Sequence, residues 1–380
     1  MIINKSKNID ETLLIDSFRD KKTILALSHI ITNLASKLPK KLHIMEVCGG
    51  HTHTLMRYGL NRLLPENIEF IHGPGCPVCI MPKNRIDQAY DIASAQDTIL
   101  LTLGDMMKVP GSKGSLQDAR ANGKDVRFIY SPLQAIEIAS KNPDKKVIYF
   151  AIGFETTTPM TASLLQRVLD LNIKNLFFHI NHVLVPPPLK TILSHKDCKI
   201  NALIAPSHVS VITGAKIYKP LLDKYRIPIV VSGFEPVDMM ESILKLVLQT
   251  IEQNYKLEIQ YSRIVNMEGN TKAQKMVEKF MIARENFEWR GLGNIPYSAL
   301  KLKEEYTHLD AEIIFDDILN KTPIKDNKAC RCGDILRGVT KPPDCKVFGK
   351  SCTPLNPLGS CMVSSEGACA AYYKYGELKS

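Results

Sequence analysis

Short apolar runs recur along this chain, each followed by a Gly- or Pro-bearing loop and often by a segment with helical spacing. The runs are Leu42–Val47, Ile68–His72, Ile99–Leu103 and Val126–Tyr130, then, after the polar break Lys141–Lys146, Val147–Ile152, Leu176–Ile180, Ala202–Ala205 and Ile229–Val231. Continuous apolar runs suit strands buried on both faces. Segments such as Pro159–Leu171 and Pro236–Ile251 suit the helices that cover them. The alternation predicts an α/β protein with mainly parallel sheets covered by helices. Eight strands divided at the break suggest two lobes, residues 42–143 and 144–257. Gly153-Phe-Glu-Thr and Gly233-Phe-Glu-Pro each follow an apolar run and echo one another across the second of these.

Residues 10–41 read as helical, with Leu13, Leu14, Phe18, Ile24, Leu25, Leu27 and Ile31 near helical spacing. The segment 1–41 is expected to pack on the C-terminal domain. From about residue 258 the alternation fades, and after Lys328 the chain is rich in Cys, Gly and Pro. Residues 258–380 are therefore expected to form a helical and cysteine-rich domain that needs a metal to hold its fold.

Composition narrows the class. The 380 residues suffice for two or three domains, and 44% hydrophobic with 23% charged residues is ordinary for a globular protein. No apolar run approaches the roughly 18 residues of a membrane span. The first residues lack an apolar core followed by a small-residue cleavage site, so a cytoplasmic location is the expectation. In that reducing compartment clustered cysteines serve as metal ligands or redox thiols more often than as structural disulfides. The net charge of +10 does not imply nucleic acid, because the lysines are dispersed, only one Trp is present and no nucleic-acid motif appears. A solvated surface or an acidic protein partner accounts for it.

Six of the ten cysteines, Cys330, Cys332, Cys345, Cys352, Cys361 and Cys369, fall within forty residues. Four soft thiolates converging from a loop-rich stretch can hold an iron–sulfur cluster or a zinc ion. Two left over beside such a site could form a disulfide fed by a cluster.

Two more cysteine loops follow strands. Leu42–Val47 runs into Cys48-Gly-Gly-His51-Thr-His53, and Thr54–Leu64 then looks helical. Ligands of open α/β sheets bind beyond the carboxyl ends of strands. The amides of a helix start there would lower the pKa of Cys48, with His51 and His53 within reach as metal ligands or proton carriers. The second strand feeds Gly73-Pro-Gly-Cys76-Pro-Val-Cys79, a pair able to close a disulfide or give two thiolates to one metal. A zinc there would need two further ligands from His51, His53 or Cys48. Later strands end in Glu155-Thr-Thr-Thr158-Pro159, His179-Ile-Asn-His182 and Pro206-Ser-His208. Thr158 reads as a helix cap; Glu155 and His208 read as proton donors or orienting groups in a cleft facing Cys48. Cys198 stands alone.

Cys48-Gly-Gly-His-Thr-His, Gly73-Pro-Gly-Cys-Pro-Val-Cys79, Gly153-Phe-Glu-Thr-Thr-Thr-Pro159 and the terminal array ending Cys361-Met-Val-Ser-Ser-Glu-Gly-Ala-Cys369 together resemble the HypD family of NiFe-hydrogenase maturation factors, over essentially the whole chain. The resemblance implies a scaffold rather than a conventional metabolic enzyme. With the small chaperone HypC it would assemble an iron carrying two cyanides and one carbon monoxide, the cyanide delivered by HypE. It implies that Cys48 is the iron ligand, with Cys76 and Cys79 as the thiol pair beside it and His51 tuning the site. It further implies that Cys332, Cys345, Cys352 and Cys369 hold a 4Fe–4S cluster, and that Cys330 and Cys361 form a disulfide next to it. Electrons would then pass from the cluster through Cys330–Cys361 to Cys76–Cys79 by thiol exchange. The residues alone leave two other readings open. One is a stand-alone iron–sulfur thiol-disulfide oxidoreductase, which gives the Cys48 loop no task. The other is a zinc-stabilised binding protein without redox chemistry.

Overall fold

A computed structural model of the protein describes residues 16–376. All eight apolar runs are strands: β1 Leu42–Glu46, β2 Ile68–His72, β3 Thr98–Leu103, β4 Val126–Ile129, β5 Lys146–Gly153, β6 Leu176–His182, β7 Ala202–Pro206 and β8 Ile229–Ser232. A ninth, β9 Leu257–Ile259, lies only partly buried at a sheet edge. The two principal sheets are wholly parallel, and helices such as Thr158–Asp170 and Pro236–Glu252 cover them.

The sheets do not divide the chain at Lys141–Lys146. One sheet has the order β2-β1-β7-β8-β9 and the other β4-β3-β5-β6. The expected lobes 42–143 and 144–257 are therefore interleaved: β3 and β4 pair with β5 and β6, while β7–β9 return to β1. Lys141–Lys146 is only the link from the helix Gln134–Lys141 into β5. This order places a topological switch point between β1 and β7 in the larger sheet, and between β3 and β5 in the smaller. Such switch points leave a crevice at the strands' carboxyl ends, because the flanking connections leave in opposite directions.

The N-terminal helix Lys21–Ala35 is capped by Asp20, which accepts from the Thr23 amide at 2.8 Å. It buries Ile24, Ser28, Ile31 and Ala35 on one face. That face meets the helix Pro236–Glu252 over the larger sheet, not the C-terminal domain as expected. An Arg19–Glu235 ion pair at 2.6 Å and a Val237 amide bond to Phe18 O at 3.0 Å fix the contact. The remainder of the expected 10–41 helix before residue 16 lies outside the described residues.

Beyond β9 the chain forms the helix Thr271–Phe280, the antiparallel pair Met281–Ala283 with Leu300–Leu302, and the hairpin Asn286–Trp289 with Gly293–Pro296. The cysteine-rich stretch that follows has little regular structure besides the short helices Cys332–Leu336 and Ala368–Tyr375. No described helix is long and apolar enough to cross a membrane.

Candidate thiol site at the switch points

Cys48 follows β1, and His208 follows β7, so the switch point of the larger sheet brings them together. The Cys48 sulfur lies 3.8 Å from His208 Nδ1. Helix Gly49–Arg57 begins directly after Cys48, earlier than the Thr54 start its sequence suggests. Cys48 itself is the N-cap, accepting from the Gly50 amide at 3.4 Å. Glu46 at the end of β1 secures the turn although it is buried. It accepts from the Cys48 amide at 3.1 Å and from the Thr52 hydroxyl, and it contacts His72 Nδ1 at 2.5 Å.

Two glycines allow close approach around this thiol. A side chain on Gly75 would collide with the backbone of Cys48 and Val47, so the Cys76 loop lies directly against the Cys48 loop. A side chain on Gly49 would collide with Glu366, so the cysteine-rich segment lies against the other side. That segment is fastened by its terminal helix, with Tyr375 bonded to His53 Nε2 at 2.8 Å and Tyr372 to His72 Nε2 at 3.1 Å. It also reaches the second switch point, where Ser364 donates to Asp105, just past β3, at 3.3 Å. One segment thus covers the carboxyl ends of both sheets.

The thiol chemistry departs from the helix-start expectation. Burial, and after it the carboxylates of Glu366 and Glu46, raise the Cys48 pKa far above that of a free thiol; the Gly50 and His51 amides only partly oppose them. His51 Nε2 faces the carbonyls of Ser232 and Gly233 at 3.3 and 3.2 Å, and its ring stacks on Phe234. Carbonyls only accept, so Nε2 carries the proton and the buried Nδ1 has no partner. Burial lowers the His51 pKa to about 3 and that of His208 to about 4, keeping both rings neutral at pH 7. His53 serves the contact with Tyr375.

Glu155, past β5, is buried, and Oε1 accepts from the Val185 amide at 2.9 Å. Burial pushes its carboxyl up to about 7. Thr158 does not cap the following helix; as its first residue it donates to Phe154 O at 3.0 Å. His182 pairs with Thr161 at 2.8 Å. His179 joins a buried network in which Arg85 and Arg284 both clasp Glu312. That network borders a cavity of about 510 Å³, but its arginine donors are taken up by Glu312, Asn181 and the carbonyls of Ile180 and Leu300. Cys198 is half-buried and unbonded to another cysteine.

Cys76 and Cys79 form a disulfide, with Cα atoms 5.2 Å apart. In the terminal array the disulfide joins Cys332 to Cys361, with Cα atoms 6.5 Å apart. This corrects the expected Cys330–Cys361 pair and removes Cys332 from the expected ligand set. Cys332 opens the helix Cys332–Leu336 opposite the turn Ser360–Met362, whereas the Cys330 sulfur rests against Gly359. The free thiols are then Cys330, Cys345, Cys352 and Cys369. These four and the disulfide line one small cavity. Burial and the mutual repulsion of the thiolates raise the Cys369 pKa. The Ser360 hydroxyl donates to Cys79 O, so the segments bearing the two disulfides touch.

Glu46, His72, Ser360 and Glu366 were not among the residues expected from sequence. Glu46 did carry a signal: an ionisable residue inside an apolar strand, two positions before a cysteine.

Fold and site define a double-sheet α/β protein whose thiols gather where both sheets reverse their strand order. A family model described as "HypD: Hydrogenase formation hypA family" matches residues 22–376. The chain is similar to the hydrogenase maturation factor HypD2 of Bradyrhizobium diazoefficiens, 49% identical over 372 residues, covering 96% of this chain and 97% of the relative. It is 43% identical over 370 residues to the hydrogenase maturation factor HypD of Escherichia coli, covering 96% of this chain and 99% of that protein. The chain belongs to the HypD family.

Proposed function

We propose that this protein is a cytoplasmic hydrogenase maturation factor. With a HypC-type chaperone and a HypE-type cyanide donor, it would be the scaffold on which an iron gains two cyanides and one carbon monoxide. The observation that carries the reading is the Cys48 thiol, buried at a switch point between the Cys76–Cys79 loop and the cysteine-rich segment. A thiol with so high a pKa stays protonated until a cation displaces its proton, which suits a centre that receives iron as substrate. A soft thiolate then favours an iron that binds cyanide and carbon monoxide. His208 and His51 stand beside it as neutral rings.

Cys330, Cys345, Cys352 and Cys369 are the proposed ligands of a 4Fe–4S cluster. Thiols spread around one cavity suit a cluster, whose irons lie apart. When bound, the cluster would supply single electrons at low potential. Reduction of Cys332–Cys361 to two thiols takes two electrons and two protons. Attack of one of these thiolates on Cys76–Cys79, and resolution by the other, would return the first disulfide and leave Cys76 and Cys79 reduced beside Cys48. The Ser360–Cys79 contact supports this order.

The touching disulfide segments would also fit the oxidoreductase reading, which has no use for Cys48. Expression of Cys48→Ser in a strain lacking its own factor discriminates them. The scaffold reading expects no active hydrogenase; normal hydrogenase activity would remove it.

A further inference from the structure

A thiol that receives a cargo needs a way in, yet Cys48 is only 4% exposed. Contacts on several sides enclose it. The Gly75 loop presses on its backbone, His208 Nδ1 lies 3.8 Å from its sulfur, and a side chain on Gly50 would meet the Phe234 ring. These walls follow β2, β7 and β8, which share one sheet with β1. Strand pairing fixes their places, and paired core strands are the last parts of a fold to open.

The wall at Gly49 is different. There the backbone and Cβ of Glu366 close the space, and Glu366 belongs to the strap 363–367, which has neither helix nor strand. Ser365 and Glu366 are exposed, so the strap is a thin cover with solvent on its outer side. Its two ends are held differently. After it, the helix Ala368–Tyr375 is bonded through Tyr372 and Tyr375 to His72 and His53. Before it, the turn Ser360–Met362 is held by the Cys332–Cys361 disulfide and by the Ser360 bond to Cys79 O. Between the ends Ser364 bonds Asp105 at 3.3 Å. Single hydroxyl bonds are weak ties. The disulfide is the strong one, and electrons remove it.

We propose that the Cys332–Cys361 disulfide is a redox latch: while it is closed the strap 363–367 covers Cys48, and its reduction lets the strap swing out on the terminal helix and opens Cys48 to an incoming ligand. Two electrons and two protons enter from a dithiol, which leaves as its disulfide; the sulfur–sulfur bond breaks and two S–H bonds form. In the proposed relay the disulfide re-forms when Cys76–Cys79 is reduced, so the strap shuts again once the electrons have moved on. This deepens the scaffold reading and rests on it only for the nature of the cargo.

Alkylation by iodoacetamide, read at each cysteine by peptide mass spectrometry, tests the latch on the full chain purified anaerobically. Cys361→Ser removes the disulfide while Cys76–Cys79 stays oxidised. Labelling of Cys48 should rise about tenfold or more over wild type, in proportion to the open population. Cys198, half-buried and outside the strap, should label at its wild-type rate. An unchanged Cys48 rate would show that the strap does not move when untied, and a rise shared equally by Cys198 would show general loosening; either overturns the proposal. Wild type reduced with dithiothreitol and then freed of it should label Cys48 at the variant's rate, and return to slow labelling once Cys332–Cys361 is re-formed. Cys48 that stays protected after this reduction overturns the proposal as well. No iron, cyanide or chaperone enters these measurements, so the scaffold reading stands or falls separately, on the expression of Cys48→Ser.

Discussion

Burial raises the Glu155 carboxyl from 4.5 to about 7, which makes this one residue a source of pH-dependent stability. The unfolded chain ionises the group near its ordinary value, whereas the folded protein holds the proton until about pH 7. The folded state therefore binds more protons between those limits, and stability falls as pH rises through them. The contribution is fully present below the unfolded value and lost above the folded one. At about 1.4 kcal/mol for each pH unit, Glu155 costs roughly 3 kcal/mol once ionised. Between pH 5 and pH 8 the change is about 2.5 kcal/mol. Glu155→Gln keeps an oxygen for the Val185 amide and cannot ionise. Urea unfolding of metal-free protein should thus show the Gln variant gaining about 2.5 kcal/mol over wild type from pH 5 to pH 8. His51 and His208, with depressed values, lose stability in the opposite direction as pH falls. They are present in both proteins and drop out of the difference. A difference that stays flat across this range would refute the burial argument for Glu155.

Other outcomes follow from the packing and the cysteine arrangement. Gly75→Ala pushes a methyl group into the Cys48 and Val47 backbone, which cannot rotate away. It should cost about 3 kcal/mol in the same unfolding assay, and a neutral result would mean the two loops are not held together. Cys330→Ser should lose most visible absorbance, iron and sulfide from anaerobic protein, whereas Cys332→Ser should keep them; the reverse pattern would restore the ligand set suggested by resemblance alone.

The strands were legible in the sequence because parallel strands buried on both faces appear as unbroken apolar runs, as Val147–Ile152 does within β5. Their pairing was not. β1 joins β7 across more than 150 residues, and nothing local to Ile44 or Ala202 records that partner. The polar stretch Lys141–Lys146 resembled a boundary only because a helix ends there and a strand begins. Strand-end placement of Cys48 and His208 was readable from the alternation, but their contact needed the sheet order. Cys330 and Cys332 stand two residues apart, so spacing could not say which is bonded to Cys361. Only the folded chain shows that Cys332 is the one bonded to Cys361. The expected acidity of Cys48 failed for a different reason. A helix start was visible in the sequence, whereas Glu366, more than 300 residues away, was not visible as a neighbour.

In the proposed scaffold Cys48 holds the iron being assembled. Infrared spectroscopy of Cys48→Ser protein, purified anaerobically with its small chaperone, tests it most directly. Serine replaces a soft donor by a hydroxyl that ionises poorly, while the proposed cluster ligands lie on other segments. The variant should remain brown and folded but lack the cyanide and carbon monoxide bands of the wild-type complex. Bands retained at wild-type intensity would place the iron elsewhere and rule out Cys48 as its ligand.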